Sequence, residues 1–244
     1  MEIKQVFKYI KKGNQSSALA MTGNMLIAVI EFIAGAISGS GAMYAAAMHS
    51  FGDAVNQGFI FMGSVFSQRK PTKRFPNGFE SLNNIFSIIA ALVVLTMAYE
   101  TIDEGCHLLW HPPEHSRGLV INVLILVLNL VIDGAVLLKA IREINEDSRV
   151  IDKGFKFVLH AFKNVSKAAP PTRFIFFEDI VSVTSAILAM IAVIVTSITK
   201  IHFLDGVFTV IIGLLMLWVS IRVAYDNIVE LVTSSAIMND QYHE

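Results

Sequence analysis

Charged residues are scarce in this sequence of 244 residues. They make up 16% of the chain, while hydrophobic residues make up 54%. A soluble domain carries roughly a quarter charged residues, so the composition argues against a soluble protein and indicates a membrane protein. The formal net charge of −1 gives no indication of a nucleic-acid partner, and we expect none.

Cysteine is also nearly absent. Cys106 stands alone, which excludes an intramolecular disulfide and leaves the redox compartment open. The sequence has neither an HExxH motif nor a nucleophile elbow, the patterns of zinc proteases and serine hydrolases. We therefore expect no enzyme and no cofactor. An intramembrane metalloenzyme such as a protease is the weakest alternative, because it would need a third ligand and a general base near a bound water.

Long apolar runs are abundant. A spanning helix needs about 20 mostly apolar residues, and six windows of the sequence qualify: 18–38, 41–66, 84–109, 118–144, 173–199 and 203–225. The sequence thus predicts an all-α membrane protein with six transmembrane helices in one domain, residues 1–236. We expect residues 237–244 to form a short C-terminal tail, with no cytoplasmic domain.

Lysine and arginine predict the orientation of these helices. All of them except Arg117 and Lys200 fall on the same side of the predicted helices. By the positive-inside rule, both termini are then cytoplasmic. The long cytoplasmic link 145–172 also contains apolar residues at the spacing of one helical face, with lysines around them, which predicts a short helix on the membrane surface. These apolar residues are Phe155, Val158, Leu159 and Phe162.

Ionisable residues inside spanning helices are costly and are functional candidates by default. Here they are Glu31, His49, Asp53, Asp133, Glu178 and Asp179. The i, i+4 spacing of His49 and Asp53 places both side chains on one helix face. Imidazole nitrogen and carboxylate oxygen are suitable ligands for zinc and related divalent metals. The alternative is a hydrogen bond internal to the helix.

Two adjacent carboxylates, Glu178 and Asp179, lie near the start of the predicted fifth helix. Pro170 and Pro171 suit the first turn of a helix, which places the acids about two turns inside it. Adjacent residues diverge by about 100° around a helix, so the two acids do not bind one ion symmetrically. The alternative is that they pair with Arg173 or favour the positive end of the helix dipole.

The other polar residues are weaker candidates. Asp133 is either a further metal ligand or an interhelical hydrogen-bond partner. Glu31 shares a stripe with Asn24 and forms either a proton relay or a packed polar bridge between helices. For His107, His111 and His115, in and around the link after the third helix, a solvated loop is favoured over metal recruitment.

Three motifs together resemble the cation diffusion facilitator family of zinc and divalent-metal exporters. They are the pair His49-x-x-x-Asp53, the run Arg74-Phe75-Pro76-Asn77-Gly78 after the second helix, and His111-Pro112-Pro113 after the third. The likeness covers about residues 18–236. It agrees with six helices and two cytoplasmic ends, and it implies a homodimer.

The resemblance implies a tetrahedral metal site in which His49, Asp53 and Asp179 carry over as ligands. The fourth position of the family pattern holds Ile175, which cannot bind metal. The Glu178-Asp179 form resembles the branch that includes the mitochondrial zinc transporter, where Glu-Asp replaces the usual pair. Glu178 is then the substitute ligand, or a water takes the fourth position.

The implied function is export of a divalent cation by proton-coupled antiport across the cell inner or plasma membrane. The nitrogen ligand and the absence of thiolates favour Zn²⁺, while the carboxylates also suit Mn²⁺ and Fe²⁺. The metal is then a transported substrate rather than a cofactor, and protons and the lipid bilayer are the other partners. The alternative is a non-transporting or truncated family member that acts as a membrane subunit, since Ile175 replaces a ligand and the family's cytoplasmic domain would begin where this chain ends.

Overall fold

The computed structural model describes residues 15–68, 79, 82–112, 118–147, 155–165, 170–199 and 201–240. These residues contain seven α-helices and no strand, which confirms the predicted all-α class. In chain order the helices are α1 (Gln15–Ser38), α2 (Gly41–Ser67), α3 (Leu82–Trp110), α4 (Leu119–Asp147), α5 (Phe155–Asn164), α6 (Pro170–Thr199) and α7 (Phe203–Asp240). The basic link with the run 74–78 lies outside the described residues.

Five helices are long and apolar enough to cross a membrane among the residues that the structure describes. The candidate spans are Ser17–Ser38, Asn84–Trp110, Leu119–Glu146, Phe176–Thr199 and Phe203–Thr233. Helix α2 has 27 residues, or about 40 Å, and is long enough as well. Its polar residues, including His49, Asp53 and Asn56, keep its hydropathy below that of the other five. The sixth span and the orientation of the termini therefore stay predictions.

The link between α1 and α2 is a tight turn. Gly39 has a φ of 70°, in the left-handed region that favours glycine. Its N–H donates a 2.8 Å hydrogen bond to the carbonyl oxygen of Gly35, which ends α1. Helix α2 begins two residues later, at Gly41.

The chain divides into two compact units. The first comprises Met1–Val29, Met48–Glu100 and Met216–Glu244, and the second comprises Ile30–Ala47 and Thr101–Leu215. Within the first unit, α2 packs against α3. A Cβ atom at Gly52 would lie 3.5 Å from the side chain of Val94, and the rings of Phe66 and Phe86 stack with centroids 5.7 Å apart.

Within the second unit, α4 packs against α6, and α5 packs against both. Their shared core consists of Ala140, Ile141, Ile144, Ala161 and Phe176. The short helix predicted in the long link is therefore present. The apolar residues predicted on one face are divided between two sides, because Val158 faces this core together with Phe157 and Ala161, whereas Leu159 and Phe162 are 45% and 49% exposed.

Helices α3 and α7 cross closely in the second unit. A Cβ atom at Gly206 would lie 2.8 Å from the carbonyl oxygen of Gly105 and 2.9 Å from the backbone nitrogen of Leu109. These distances are too short for any side-chain carbon. The absence of side chains at Gly105 and Gly206 is therefore what allows the two backbones to meet.

Candidate metal site

His49 and Asp53 lie on the same face of α2, in the first unit. His49 is buried, with a side chain that is 6% exposed against 19% for Asp53. The Nε2 atom of His49 lies 3.8 Å from Oδ2 of Asp53, which is too far for a hydrogen bond. Two ligand atoms at about 2.0–2.1 Å from one tetrahedral zinc lie roughly 3.3 Å apart. A shift of about half an ångström would therefore allow the two side chains to bind one ion.

The part of α2 that carries this pair is protected by protein. Ala54 is 1% exposed, and the polar side chains of Ser50 and Asn56 are each 4% exposed. Small residues such as Ala45, Ala46 and Ala47 precede the pair and are almost fully buried. Helix α2 thus keeps His49, Ser50 and Asn56 within the protein, which is where intramembrane ligands are expected.

Glu178 and Asp179 lie on α6, in the second unit. The helix begins at Pro170, so both acids lie about two turns inside it, as the sequence predicts. Both are partly buried. The side chain of Ile175 lies outside the described part of the chain.

The predicted ligands are divided between the two units. His49 and Asp53 belong to the first, and Asp133, Glu178 and Asp179 belong to the second. Within either unit, the described residues contain no group of three or more His, Cys, Asp or Glu side chains that could hold a metal ion. Because the predicted tetrahedral set draws two ligands from each unit, it stays a prediction.

Asp133 takes part in an interhelical hydrogen bond. It is 9% exposed on α4, and its Oδ2 atom accepts a 3.0 Å hydrogen bond from the hydroxyl of Ser182 on α6. Of the two roles that the sequence allows for this residue, the structure shows the helix-linking one. Ser182 was not among the candidates, since a serine in an apolar run gives no signal of its partner.

Glu31 also links two helices. It is fully buried on α1, and its Oε1 atom accepts a 3.0 Å hydrogen bond from Nδ2 of Asn129 on α4. This contact matches the polar bridge that the sequence allows, with Asn129 as the partner on the second helix. A buried carboxyl group that accepts such a bond avoids part of the cost of its burial.

Asp205 is a buried acid that the sequence analysis missed. It lies in the first turn of α7 and is 2% exposed. Its Oδ2 atom accepts a 2.6 Å hydrogen bond from the N–H of Gly41, and its Oδ1 atom accepts bonds from the N–H of Ala42 at 3.0 Å and the hydroxyl of Ser40 at 3.2 Å. Asp205 therefore caps the first turn of α2 from another helix, where the helix dipole favours a negative charge.

His107, in the last turn of α3, and His111, just after this helix, are exposed. The rings of His107 and His111 stack with centroids 4.9 Å apart, and both residues face away from the packed part of the second unit. His115 lies outside the described residues. The two described histidines of this group therefore belong to no buried ligand set.

Comparison with known proteins identifies the family. Residues 17–232 match the model of the cation efflux transmembrane domain. The chain is 29% identical over 216 residues to the human protein named proton-coupled zinc antiporter SLC30A9, mitochondrial, a match that covers 86% of this chain and 36% of that protein. The proteins of the same name from Xenopus laevis and Mus musculus are 28% identical over 240 and 226 residues, covering 96% and 90% of this chain.

The chain spans little more than a third of the length of these relatives, with shares of 36%, 41% and 38%. The family match covers most of the chain, including four of the candidate spans in full and the fifth up to residue 232, so the chain is an integral membrane protein. The resemblance predicted from the three motifs is confirmed. The chain belongs to the cation efflux transmembrane domain family.

Proposed function

We propose that this protein exports a divalent cation, Zn²⁺, from the cytoplasm in exchange for protons. The observation that carries the proposal is the His49–Asp53 pair, in which two ligand-type side chains lie 3.8 Å apart on a protein-enclosed stretch of α2. The family match and the printed name of the relatives, proton-coupled zinc antiporter, support the same activity. The cation is a substrate, and no chemical reaction is assigned to the protein.

The proposed mechanism is competition between the metal and protons. Metal binds to neutral imidazole and deprotonated carboxylate, so its binding releases protons and its affinity falls as the pH drops. Imidazole changes protonation near physiological pH, which makes His49 the main proton-sensing ligand. Asp53 and Asp179 supply negative charge that offsets the desolvation of the ion.

The full ligand set in this proposal is His49, Asp53, Asp179 and Glu178. Glu178 replaces the ligand that Ile175 cannot provide, with a water at this position as the alternative. Asp133 was the weaker candidate, and its hydrogen bond with Ser182 favours a role in holding α4 against α6. We assign the chain to the cell inner or plasma membrane, with both termini in the cytoplasm.

The proposal includes the homodimer that the family resemblance implies. The sequence provides a direct test, because Cys106 is its only cysteine and is exposed. A spin label at Cys106 reports a distance between labels only when two chains associate. A dipolar signal from the reconstituted protein supports the dimer, and its absence contradicts it.

Zinc binding tests the site directly. Titration of the purified protein with Zn²⁺ in a calorimeter should show binding that the His49→Ala substitution weakens by at least about 100-fold, since loss of even an outer-shell partner costs about 10–100-fold. The matched control is Asp226→Asn, which removes a partly exposed carboxylate that pairs with Arg222 at the same i, i+4 spacing. This control should bind zinc like the parent.

Two results would contradict the proposal in different ways. Equal zinc affinity in the His49→Ala variant and the parent would place the metal elsewhere. No binding of Zn²⁺, Mn²⁺ or Fe²⁺ by the parent would favour the alternative of a membrane subunit that keeps the fold without transport.

A further inference from the structure

Helix α5 presents two faces of different character. Phe157, Val158 and Ala161 pack against α4 and α6. The opposite side carries Lys156, Leu159, Phe162 and Lys163, all of which are exposed. On a helix, residues three and four positions from Leu159 are its surface neighbours. These four residues therefore form one continuous patch, which we call the basic–apolar face.

The contacts of α5 place it at the ends of two spans. Its packed face contacts Ile141 and Ile144, which lie in the last two turns of the candidate span Leu119–Glu146. It also contacts Phe176, which lies in the first turn of the predicted apolar window 173–199. Because hydrophobic spans end where the hydrocarbon of the bilayer ends, α5 lies at the boundary between hydrocarbon and headgroups.

Two polar and aromatic contacts hold α5 in this position. The buried Asn145 of α4 donates a 2.8 Å hydrogen bond from Nδ2 to the carbonyl oxygen of Phe157. The ring of Phe162 meets the ring of Phe176 edge to face, with centroids 5.1 Å apart. The basic–apolar face is thus presented in a defined direction rather than on a loose segment.

We propose that the basic–apolar face binds the anionic phospholipid headgroups of the bilayer that surrounds the protein. Leu159 and Phe162 enter the boundary between headgroups and acyl chains, as the apolar face of an interfacial helix does. Lys156 and Lys163 flank them and extend along the helix to reach lipid phosphates. The sequence of α5, FKFVLHAFKN, contains no acidic residue that would oppose this contact. The proposal does not depend on transport.

Lipid-specific quenching of a single tryptophan tests this proposal. Trp110 and Trp218 are the only tryptophans of the sequence. In the first variant both are replaced by Phe, and Phe162→Trp places a single tryptophan probe on the basic–apolar face. The protein is reconstituted in vesicles of equal parts phosphatidylcholine and phosphatidylglycerol, with brominated chains on one lipid or the other. A variant that keeps only Trp218, which is 50% exposed on a candidate span, is the control for lipid contact without flanking lysines.

The expected result has two parts. Brominated chains quench the Phe162→Trp probe, and brominated phosphatidylglycerol quenches it more strongly than brominated phosphatidylcholine, with an enrichment of up to roughly five-fold per lysine at low salt. The double substitution Lys156→Gln and Lys163→Gln removes this preference. Lys139→Gln, which neutralises an exposed lysine of α4, leaves it unchanged. The Trp218 control is quenched equally by both lipids.

Three results would overturn the proposal. Quenching of the probe by acrylamide but not by brominated lipid would show a face in water. Protection from both quenchers would show that a second copy or another protein covers it. Equal quenching by both lipids would show apolar contact without recognition of the headgroup. The same measurements on Leu159→Trp, one turn away, exclude a local defect of the first probe as the cause.

Discussion

Asp205 shows how one buried side chain can connect the starts of two helices. Its carboxylate accepts hydrogen bonds from the backbone of Gly41 and Ala42 and from the hydroxyl of Ser40. These groups form the first turn of α2, whose N–H groups have no partner inside the helix. Asp205 thus ties the start of α7 to the start of the helix that carries His49.

Removal of this carboxylate should destabilise the protein. Asp205→Ala leaves buried N–H groups without an acceptor, at a cost of about 1–3 kcal/mol for each group. Asp205→Asn keeps one acceptor oxygen and should lose less. Thermal unfolding in detergent, followed by intrinsic fluorescence, should rank the midpoints in the order parent, Asn variant, Ala variant. An Ala variant that unfolds at the parent's temperature would contradict the role described for Asp205.

For the polar residues, the sequence predicts which side chains share a face of one helix but not which side chains meet between helices. Spacing within one helix predicts that His49 and Asp53 share a face, because helical geometry is local. It does not predict that Glu31 meets Asn129 or that Ser182 meets Asp133, because those contacts depend on how helices pack. Asp205 was missed because an acid at the third position of a span looks like an ordinary interfacial residue, and its partners lie more than 160 positions away along the chain.

At the scale of helices, the crossing of α3 and α7 depends on two glycines. Gly206→Ala would place a carbon within 2.9 Å of backbone atoms of Gly105 and Leu109. Backbone atoms cannot move aside as a flexible side chain can, so we expect a loss of about 1–3 kcal/mol in the free energy of unfolding. The thermal unfolding midpoint measures this loss.

Gly23→Ala is the matched control for this substitution. A Cβ atom there would meet nothing within 4 Å, and alanine has a higher helix propensity than glycine by about 1 kcal/mol. Its midpoint should equal or exceed that of the parent. If both alanine variants unfold alike, the close backbone contact at Gly206 does not contribute to stability.

The helices themselves were largely predictable. Each of the six predicted windows lies within one observed helix, to within one residue. A long apolar run that spans a membrane must form its backbone hydrogen bonds internally, and an α-helix does so. The ends were less predictable. Helix α7 continues to Asp240, well past the predicted window 203–225. A helix can continue beyond its apolar residues when no Gly or Pro interrupts it. Arg222, inside the predicted window, forms a 3.0 Å ion pair with Asp226, the first residue past it.

At the scale of the whole molecule, the proposed ligands come from distant parts of the chain. His49 and Asp53 are 125 or more positions before Glu178 and Asp179, and the two pairs belong to different compact units. The proposal that they bind one ion therefore comes from the family resemblance, because residues this far apart in the sequence have no spacing pattern that would predict a shared site. The central claim is therefore that both pairs serve one ion that moves against protons.

Proton-driven metal uptake tests this claim most directly. The protein is reconstituted in vesicles with a pH gradient and a metal-sensing dye inside, and Zn²⁺ uptake is compared for the parent, His49→Ala, Asp179→Ala and the control Asp226→Asn. We predict uptake that requires the gradient in the parent and the control, and none in the His49 or Asp179 variants, although both stay folded. Gradient-driven uptake that persists in both site variants would contradict the account.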